Sequence, residues 1–91
     1  MGEPVAIAMD DALVQRVEEF VLEDLLLGDR KRMPARTESL IASGAIDSTG
    51  VLELIEFLEA EFGIRVEDSE TLPENLDSIE RVVSFVERKR S

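Results

Sequence analysis

The segment from Asp47 to Gly63 most constrains the fold, because it predicts a helix that is bounded at both ends. Asp47 is a favourable N-cap residue, and Gly63 supplies the C-terminal stop. Between them, apolar residues recur every three or four positions and share one helix face, whereas acidic residues lie on the outward side. The inward residues are Val51, Leu54, Ile55, Leu58 and Phe62. We therefore predict an amphipathic helix from about Ser48 to Phe62.

Two further segments have helical periodicity. One begins near Asp10 and Asp11 and ends near Gly28, and its inward positions are Leu13, Val17, Phe20, Val21 and Leu25. The other begins at Asp77, where Glu80 three residues later forms an Asp version of the capping box. Its inward positions are Ile79, Val82, Val83 and Val86, and it ends in Arg88, Lys89 and Arg90. These cations suit the negative end of a helix dipole.

The two connections complete a helical architecture. We expect the long connection from Gly28 to Asp47 to be pinned to the core by Leu40, Ile41 and Ile46, with a turn of helix at 37–41. Pro73 favours a single helical turn at 73–76. No segment has the alternation of a strand. We predict an all-α fold, a four-helix bundle with three main helices and a short third helix.

Composition limits the chemistry. The chain has 91 residues, 44% of them hydrophobic, and contains no Cys and no His. This excludes disulfides, thiol nucleophiles, imidazole bases and the usual zinc ligands. We expect one domain at 10–90 after an N-terminal extension at 1–9, and we do not expect an enzyme. No secretory leader or long apolar span is seen, which predicts a cytoplasmic protein.

The formal net charge is −11, and seven of the ten basic residues lie in two clusters at 30–36 and 88–90. Such a field repels nucleic acid and anionic membranes and favours basic partners. We therefore expect neither nucleic acid nor a membrane as a partner. The same acidity also serves solubility, so charge alone names no partner.

Ser48 is the candidate attachment site. With Asp47 as the N-cap, Ser48 is left with an exposed hydroxyl at the start of the helix, where free N–H groups and the helix dipole favour an anion such as a phosphate. The alternative is that Asp47 and Ser48 are only a capping signal. Gly50 has two interpretations: it leaves room for a partner or prosthetic group, or the helix starts later than predicted.

The chain resembles the acyl and peptidyl carrier proteins. The resemblance lies in Gly44-Ala45-Ile46-Asp47-Ser48, in the helix that follows, in its exit Phe62-Gly63-Ile64-Arg65-Val66, and in Asn75-Leu76-Asp77-Ser78-Ile79. It implies a bundle of acyl-carrier type in which Ser48 receives 4′-phosphopantetheine from coenzyme A through a phosphopantetheinyl transferase. The thiol of that arm then carries an acyl or aminoacyl group as a thioester, so that the reactive sulfur comes with the cofactor.

The resemblance also implies partners and a docking face. The expected partners are the transferase, an acyl- or aminoacyl-loading ligase and a downstream transferase, acting on a monomeric carrier. Thr49-Gly50 replaces the Leu and acid that usually follow Asp-Ser in fatty-acid carriers, which favours specialised over housekeeping metabolism. An unmodified acidic adaptor or nucleic-acid mimic is the alternative function. By position, the partner-binding residues are Asp47, Thr49, Leu52, Glu53 and Glu56, with Ala60 further along.

Overall fold

Four α-helices are joined by turns and short helical segments in a computed structural model that describes residues 11–90. The helices are α1 (Asp11–Phe20), α2 (Ser48–Phe62), α3 (Pro73–Leu76) and α4 (Ile79–Arg90). No strand occurs in this part of the chain. The predicted all-α bundle, with three main helices and a short third helix, is confirmed. The extension expected at 1–9 lies outside the described residues.

The core forms where α1, α2 and α4 turn their apolar faces toward one another. Leu54 and Leu58 of α2 are fully buried, as are Val17 of α1 and Val82 and Val83 of α4. The periodicity of the sequence accounts for this arrangement, because residues three or four apart share one helix face. Gly63 ends α2 in the left-handed conformation, at φ 66°, and its N–H donates to the Glu59 carbonyl oxygen. The predicted bounds of α2 are confirmed.

A π-helical turn at Val21–Leu25 extends α1 and changes which leucine reaches the core. The Leu26 N–H donates to the Val21 carbonyl oxygen at 2.9 Å, five residues back rather than four. Because this turn is wider, the helix face that contains the buried Val21 continues at Leu26, which is 3% exposed. Leu25, predicted as an inward residue, packs against the core but is only half-buried, and Leu26 is the more deeply buried of the two.

The connection between α1 and α2 packs on the bundle through a different set of residues than expected, which includes Ala45 and the half-buried Met33. Leu40 and Ile46 are buried, but Ile41 is 53% exposed. Turns, not a helical turn, occupy 37–41, while a 3₁₀ turn forms earlier, at Arg30–Arg32. Asp77 provides the attachment instead: its backbone oxygen accepts from Leu40 N at 2.8 Å, and its carboxylate accepts from Ile41 N at 3.0 Å and Ser39 Oγ at 2.6 Å.

This use of Asp77 changes the start of α4. The predicted capping box of Asp77 and Glu80 is wrong, because the Asp77 carboxylate faces the α1–α2 connection. Ser78, which is 3% exposed, takes the capping role: its Oγ accepts from Arg81 N at 3.1 Å. Ser78 thus replaces Asp77 as the N-cap, and the helix begins at Ile79, one residue later than the predicted cap implies. The single turn predicted at 73–76 is confirmed as α3.

The basic residues at the end of α4 hold the connection between α2 and α3. Lys89 Nζ lies 2.9 and 3.0 Å from the two Glu70 carboxylate oxygens, and Arg88 donates to Asn75 Oδ1 at 2.9 Å. The Arg90 guanidinium lies 5.9 Å from the centre of the Phe62 ring. The 88–90 cluster thus has intramolecular contacts. In the basic cluster at 30–36, Arg36 Nε donates to the Glu18 carboxylate at 3.0 Å, and this carboxylate raises the pKa of Arg36.

Replacement of Glu70 by Gln is expected to destabilise the protein in a pH-dependent way. A hydrogen bond from the Glu67 backbone N–H, followed by one from Lys89, lowers the pKa of Glu70. A lowered folded-state pKa adds stability above the unfolded pKa, about 4.3 for a glutamate, that is lost as the pH falls through the folded value. Melting temperatures from pH 7 to pH 3 should show Glu70→Gln below wild type at neutral pH and converging with it in acid. Glu74→Gln is the control, and a deficit that stays constant with pH would contradict the assignment.

Candidate functional site at the start of α2

Asp47 fixes the first turn of α2. Its backbone is extended, at φ −120° and ψ −170°, its Oδ1 accepts from Gly50 N at 2.8 Å, and its carbonyl oxygen accepts from Val51 N at 2.9 Å. This is the geometry of an N-cap residue. Ser48 is therefore the first helical residue, as predicted, and Asp47 has a structural role besides its predicted place on the partner face.

The Ser48 hydroxyl is available for reaction. The residue is exposed, and its side chain makes no hydrogen bond within residues 11–90. The backbone N–H groups of Ser48 and Thr49 likewise donate to no atom of that range. Since Asp47 satisfies only the N–H of Gly50, two free N–H groups and the positive end of the α2 dipole remain beside the hydroxyl. The arrangement can accommodate a phosphate ester on Ser48.

Gly50 is explained by a neighbour within the chain. A Cβ at this position would lie 2.7 Å from Ile46 Cγ1, closer than such carbons approach. The side on which a Cβ would stand is filled by Ile46 and leaves no room there for a partner or a prosthetic group, whereas on another side Gly50 lines an open cleft with Asp47 and Thr49. Because α2 begins at Ser48, the other interpretation, a later helix start, is also wrong. Gly50 allows the connection to pack directly on the first turn of α2, behind Ser48.

The predicted partner-binding residues fall into two neighbouring strips. Asp47, Thr49 and Glu53 line a cleft of about 300 Å³, together with Asp24 and Arg32. Leu52 and Glu56 lie one turn apart on the outward side of α2, and Leu52 is 63% exposed. Ala60, a further turn along, is also exposed. The first strip faces the end of the α1 extension, and the second faces solvent.

Arg32 is a cation of this cleft that the sequence pattern did not identify. Its guanidinium donates to the Gly44 carbonyl oxygen at 2.9 Å, which ties the 3₁₀ turn to the segment that precedes Ser48. The cluster at 30–36 was visible in the sequence, but only the path of the connection brings one of its members to the start of α2. Asp24, Asp47 and Glu53 line the same cleft, so its formal charge remains negative.

A small apolar groove lies on another side of the same turn. It has a volume of about 190 Å³ and lies between the connection, α2 and α3, lined mainly by Ile41, Ile46, Val51, Leu72, Pro73 and Leu76. Val51 is three residues after Ser48 and so lies on the same side of α2. Two of the large apolar residues that line this groove, Ile41 and Leu72, are exposed. The groove was not predicted, because it depends on where the two connections meet.

The other acidic residues of α2 have structural partners. Glu61 pairs with Arg16 at 3.0 Å, and Glu59 accepts from Val66 N at 2.9 Å.

Within residues 11–90, no three carboxylates form a group that could hold a metal ion. Across the same residues, no helix combines the length and the apolar character needed to cross a membrane.

Comparison with known proteins gives no assignment. No protein-family model matches the chain, and no curated protein matches it in sequence.

Proposed function

We propose that this protein is a stand-alone carrier protein of the acyl and peptidyl carrier class. It holds acyl or aminoacyl groups as thioesters on a 4′-phosphopantetheine arm attached to Ser48. The observation that carries the proposal is the exposed Ser48 hydroxyl, which has no hydrogen bond within residues 11–90 because Asp47 provides the helix cap. A serine that served only as a cap would accept from the backbone N–H groups of its own helix, as Ser78 does in α4.

The attachment is a phosphoryl transfer. Ser48 Oγ attacks the phosphorus of coenzyme A that bears the pantetheine arm and forms a phosphodiester, while the bond from that phosphorus to the oxygen bridging the two phosphorus atoms breaks. Adenosine 3′,5′-bisphosphate leaves, and the serine proton passes to a base of the transferase or to solvent. The free N–H groups of Ser48 and Thr49 can stabilise the new phosphodiester, which stays anionic.

Two surfaces beside Ser48 support the carrier role. The exposed carboxylates of Glu53 and Glu56, with the exposed Leu52 one turn before Glu56, suit a basic partner that also offers an apolar contact. The groove next to Val51 offers apolar surface on the side of α2 that carries Ser48. In this proposal the chain is a monomeric, cytoplasmic substrate and shuttle of specialised metabolism. Catalysis belongs to the phosphopantetheinyl transferase, the loading ligase and the downstream transferase.

Intact mass spectrometry tests the proposal. The chain is incubated with coenzyme A and a broad-specificity phosphopantetheinyl transferase, beside Ser48→Ala and Ser43→Ala. We expect wild type and Ser43→Ala to gain the mass of one phosphopantetheine less water. Ser48→Ala should gain none, and its far-UV circular dichroism should match wild type because no described contact of the hydroxyl is lost.

Two outcomes would contradict this assignment. Modification of Ser48→Ala would show that the attachment site is wrong. A folded wild-type chain that gains no mass would favour the unmodified acidic adaptor, for which the hydroxyl at position 48 is not needed. Ser43→Ala controls for a neighbouring exposed serine, whose Oγ donates to the Leu40 carbonyl oxygen at 3.1 Å.

A further inference from the structure

Large hydrophobic side chains are exposed around the start of α2. Ile41, Leu52 and Leu72 are three of the four such side chains that the described part of the chain exposes. Ile41 and Leu72 come from the two connections, and they line the apolar groove together with Val51 of α2. Ile41 was expected to pin its connection to the core, yet it is 53% exposed. A cluster of apolar side chains on a surface is typical of an interaction site.

Helix geometry places Ser48 between these apolar side chains. Residues three and four apart are neighbours on a helix surface, so Ser48 lies one turn before both Val51 and Leu52. Val51 lines the groove on one side of Ser48, and the exposed Leu52 stands on the other side. Ile41 is an exposed side chain of that groove. An enzyme that reaches Ser48 Oγ therefore has apolar surface of this chain on both sides of its target.

The segment that supplies Ile41 and Leu52 is strongly acidic. From 37 to 64 the chain contains six acidic residues and no Lys or Arg. A salt bridge to α1 pairs one of these acids, and two cations of other segments lie nearby: Arg32 in the cleft, and Arg81, which donates to a carbonyl oxygen of α3 at 3.3 Å. Glu53 and Glu56 are exposed and have no ion-pair partner within residues 11–90. The surface therefore stays negative and is complementary to a basic partner.

We propose that Ile41 is a docking residue for the phosphopantetheinyl transferase and that, with Leu52, it brackets Ser48 in an apolar contact bordered by basic groups of the enzyme. The transferase has to bring coenzyme A within bonding distance of Ser48 Oγ, whereas an enzyme that acts on cargo meets the far end of a flexible arm. The inference rests on the proposed carrier function. It extends the partner face from α2 to the α1–α2 connection.

Transferase kinetics with coenzyme A test this inference on wild type, Ile41→Thr and Ile41→Val. Both new side chains are β-branched, as isoleucine is, and they differ from each other mainly in the polarity of one group. Both variants should melt close to wild type, because more than half of the Ile41 side chain is already exposed. We expect Ile41→Val to stay close to wild type in modification. Ile41→Thr should lose about fivefold or more in kcat/KM, mainly through a higher KM, because an apolar contact made on binding is lost.

Leu27→Asn controls for the loss of any exposed apolar side chain. Leu27 is the fourth exposed large hydrophobic residue, at 86%, and it does not line the groove. Its φ is positive, at 54°, and asparagine tolerates this conformation, so the variant should fold. We expect its modification to proceed at the wild-type rate.

The outcomes separate this inference from the proposal on which it rests. Equal rates for wild type and Ile41→Thr would overturn the docking role of Ile41 and leave the carrier function standing. That result would favour a groove that serves only the cargo, since coenzyme A brings no acyl group. An equal loss in Ile41→Val or in Leu27→Asn would also overturn the docking role, because the effect would then not depend on apolar contact at this site. A folded wild-type chain that is never modified overturns both.

Discussion

Replacing Glu53 and Glu56 with lysine is expected to slow modification by the transferase by about 10- to 100-fold at low salt, in the range that electrostatic steering produces. Both carboxylates are exposed, and neither has an ion-pair partner in residues 11–90. The reversal therefore breaks no described salt bridge and leaves the fold intact. Reversal at Glu61, in contrast, would remove one of the two carboxylates that pair with Arg16.

Salt dependence and a matched variant make the test specific. The Debye length falls from about 8 Å at 0.15 M to about 3 Å at 1 M ionic strength, so the difference from wild type should shrink as salt is added. Glu74→Lys with Glu80→Lys changes the net charge equally, at exposed positions on α3 and α4. Initial rates that fall equally in both double variants, or in neither, would place the docking face elsewhere.

Gly50→Ala is expected to destabilise the protein, although alanine in a helix is ordinarily more stable than glycine by about 0.8–1 kcal/mol. The new Cβ would lie 2.7 Å from Ile46 Cγ1, so Ile46 has to move from its buried site beside the Asp47 cap. Overpacking of this kind costs about 1–3 kcal/mol. Once the helical gain is subtracted, we expect a net loss of up to about 2 kcal/mol in the free energy of unfolding, and a fall in Tm of about 4–8 °C for each kcal/mol.

A double-mutant cycle identifies the cause. In an Ile46→Ala background the conflicting carbon is absent, so adding Gly50→Ala should no longer destabilise and should recover the helical preference for alanine. Urea denaturation of the four proteins supplies the coupling energy. A rise in stability on Gly50→Ala in the wild-type background would show that the contact with Ile46 is not tight.

The sequence allowed the local features of the fold to be predicted. The bounds of α2 follow from the N-cap residue Asp47, from the apolar face of the helix and from Gly63 at its end. The single turn of α3 follows from Pro73. The π-helical turn was missed because it depends on how the end of α1 packs, and Leu25 and Leu26 are equally apolar. The start of α4 was predicted wrongly because the Asp77 carboxylate does not cap the helix. It accepts a hydrogen bond from Ser39, which is 38 residues away in sequence.

At the candidate site, too, the features set by nearby residues were predicted and most of those set by contacts between elements were not. The position and exposure of Ser48 follow from residues next to it in sequence. The residues of other elements that line the cleft and the groove at the start of α2, such as Arg32 and Leu72, could not be placed by periodicity. The packing of Ile46 on Gly50 was missed for a different reason, since both residues are local but their contact depends on side-chain shape.

The hydrogen bonds between Asp77 and the α1–α2 connection also bear on the order of folding. They join Ser39 and Ile41 to a residue 38 and 36 positions away, so closing them requires a long chain loop to be ordered first. Helical turns form from near neighbours and do not carry this entropic cost. We therefore expect the segment at 39–42, including the buried Leu40, to dock late and to open before the three main helices separate. Hydrogen exchange at the amide groups of Leu40 and Ile41 would then report local opening beside Ser48, separately from global unfolding.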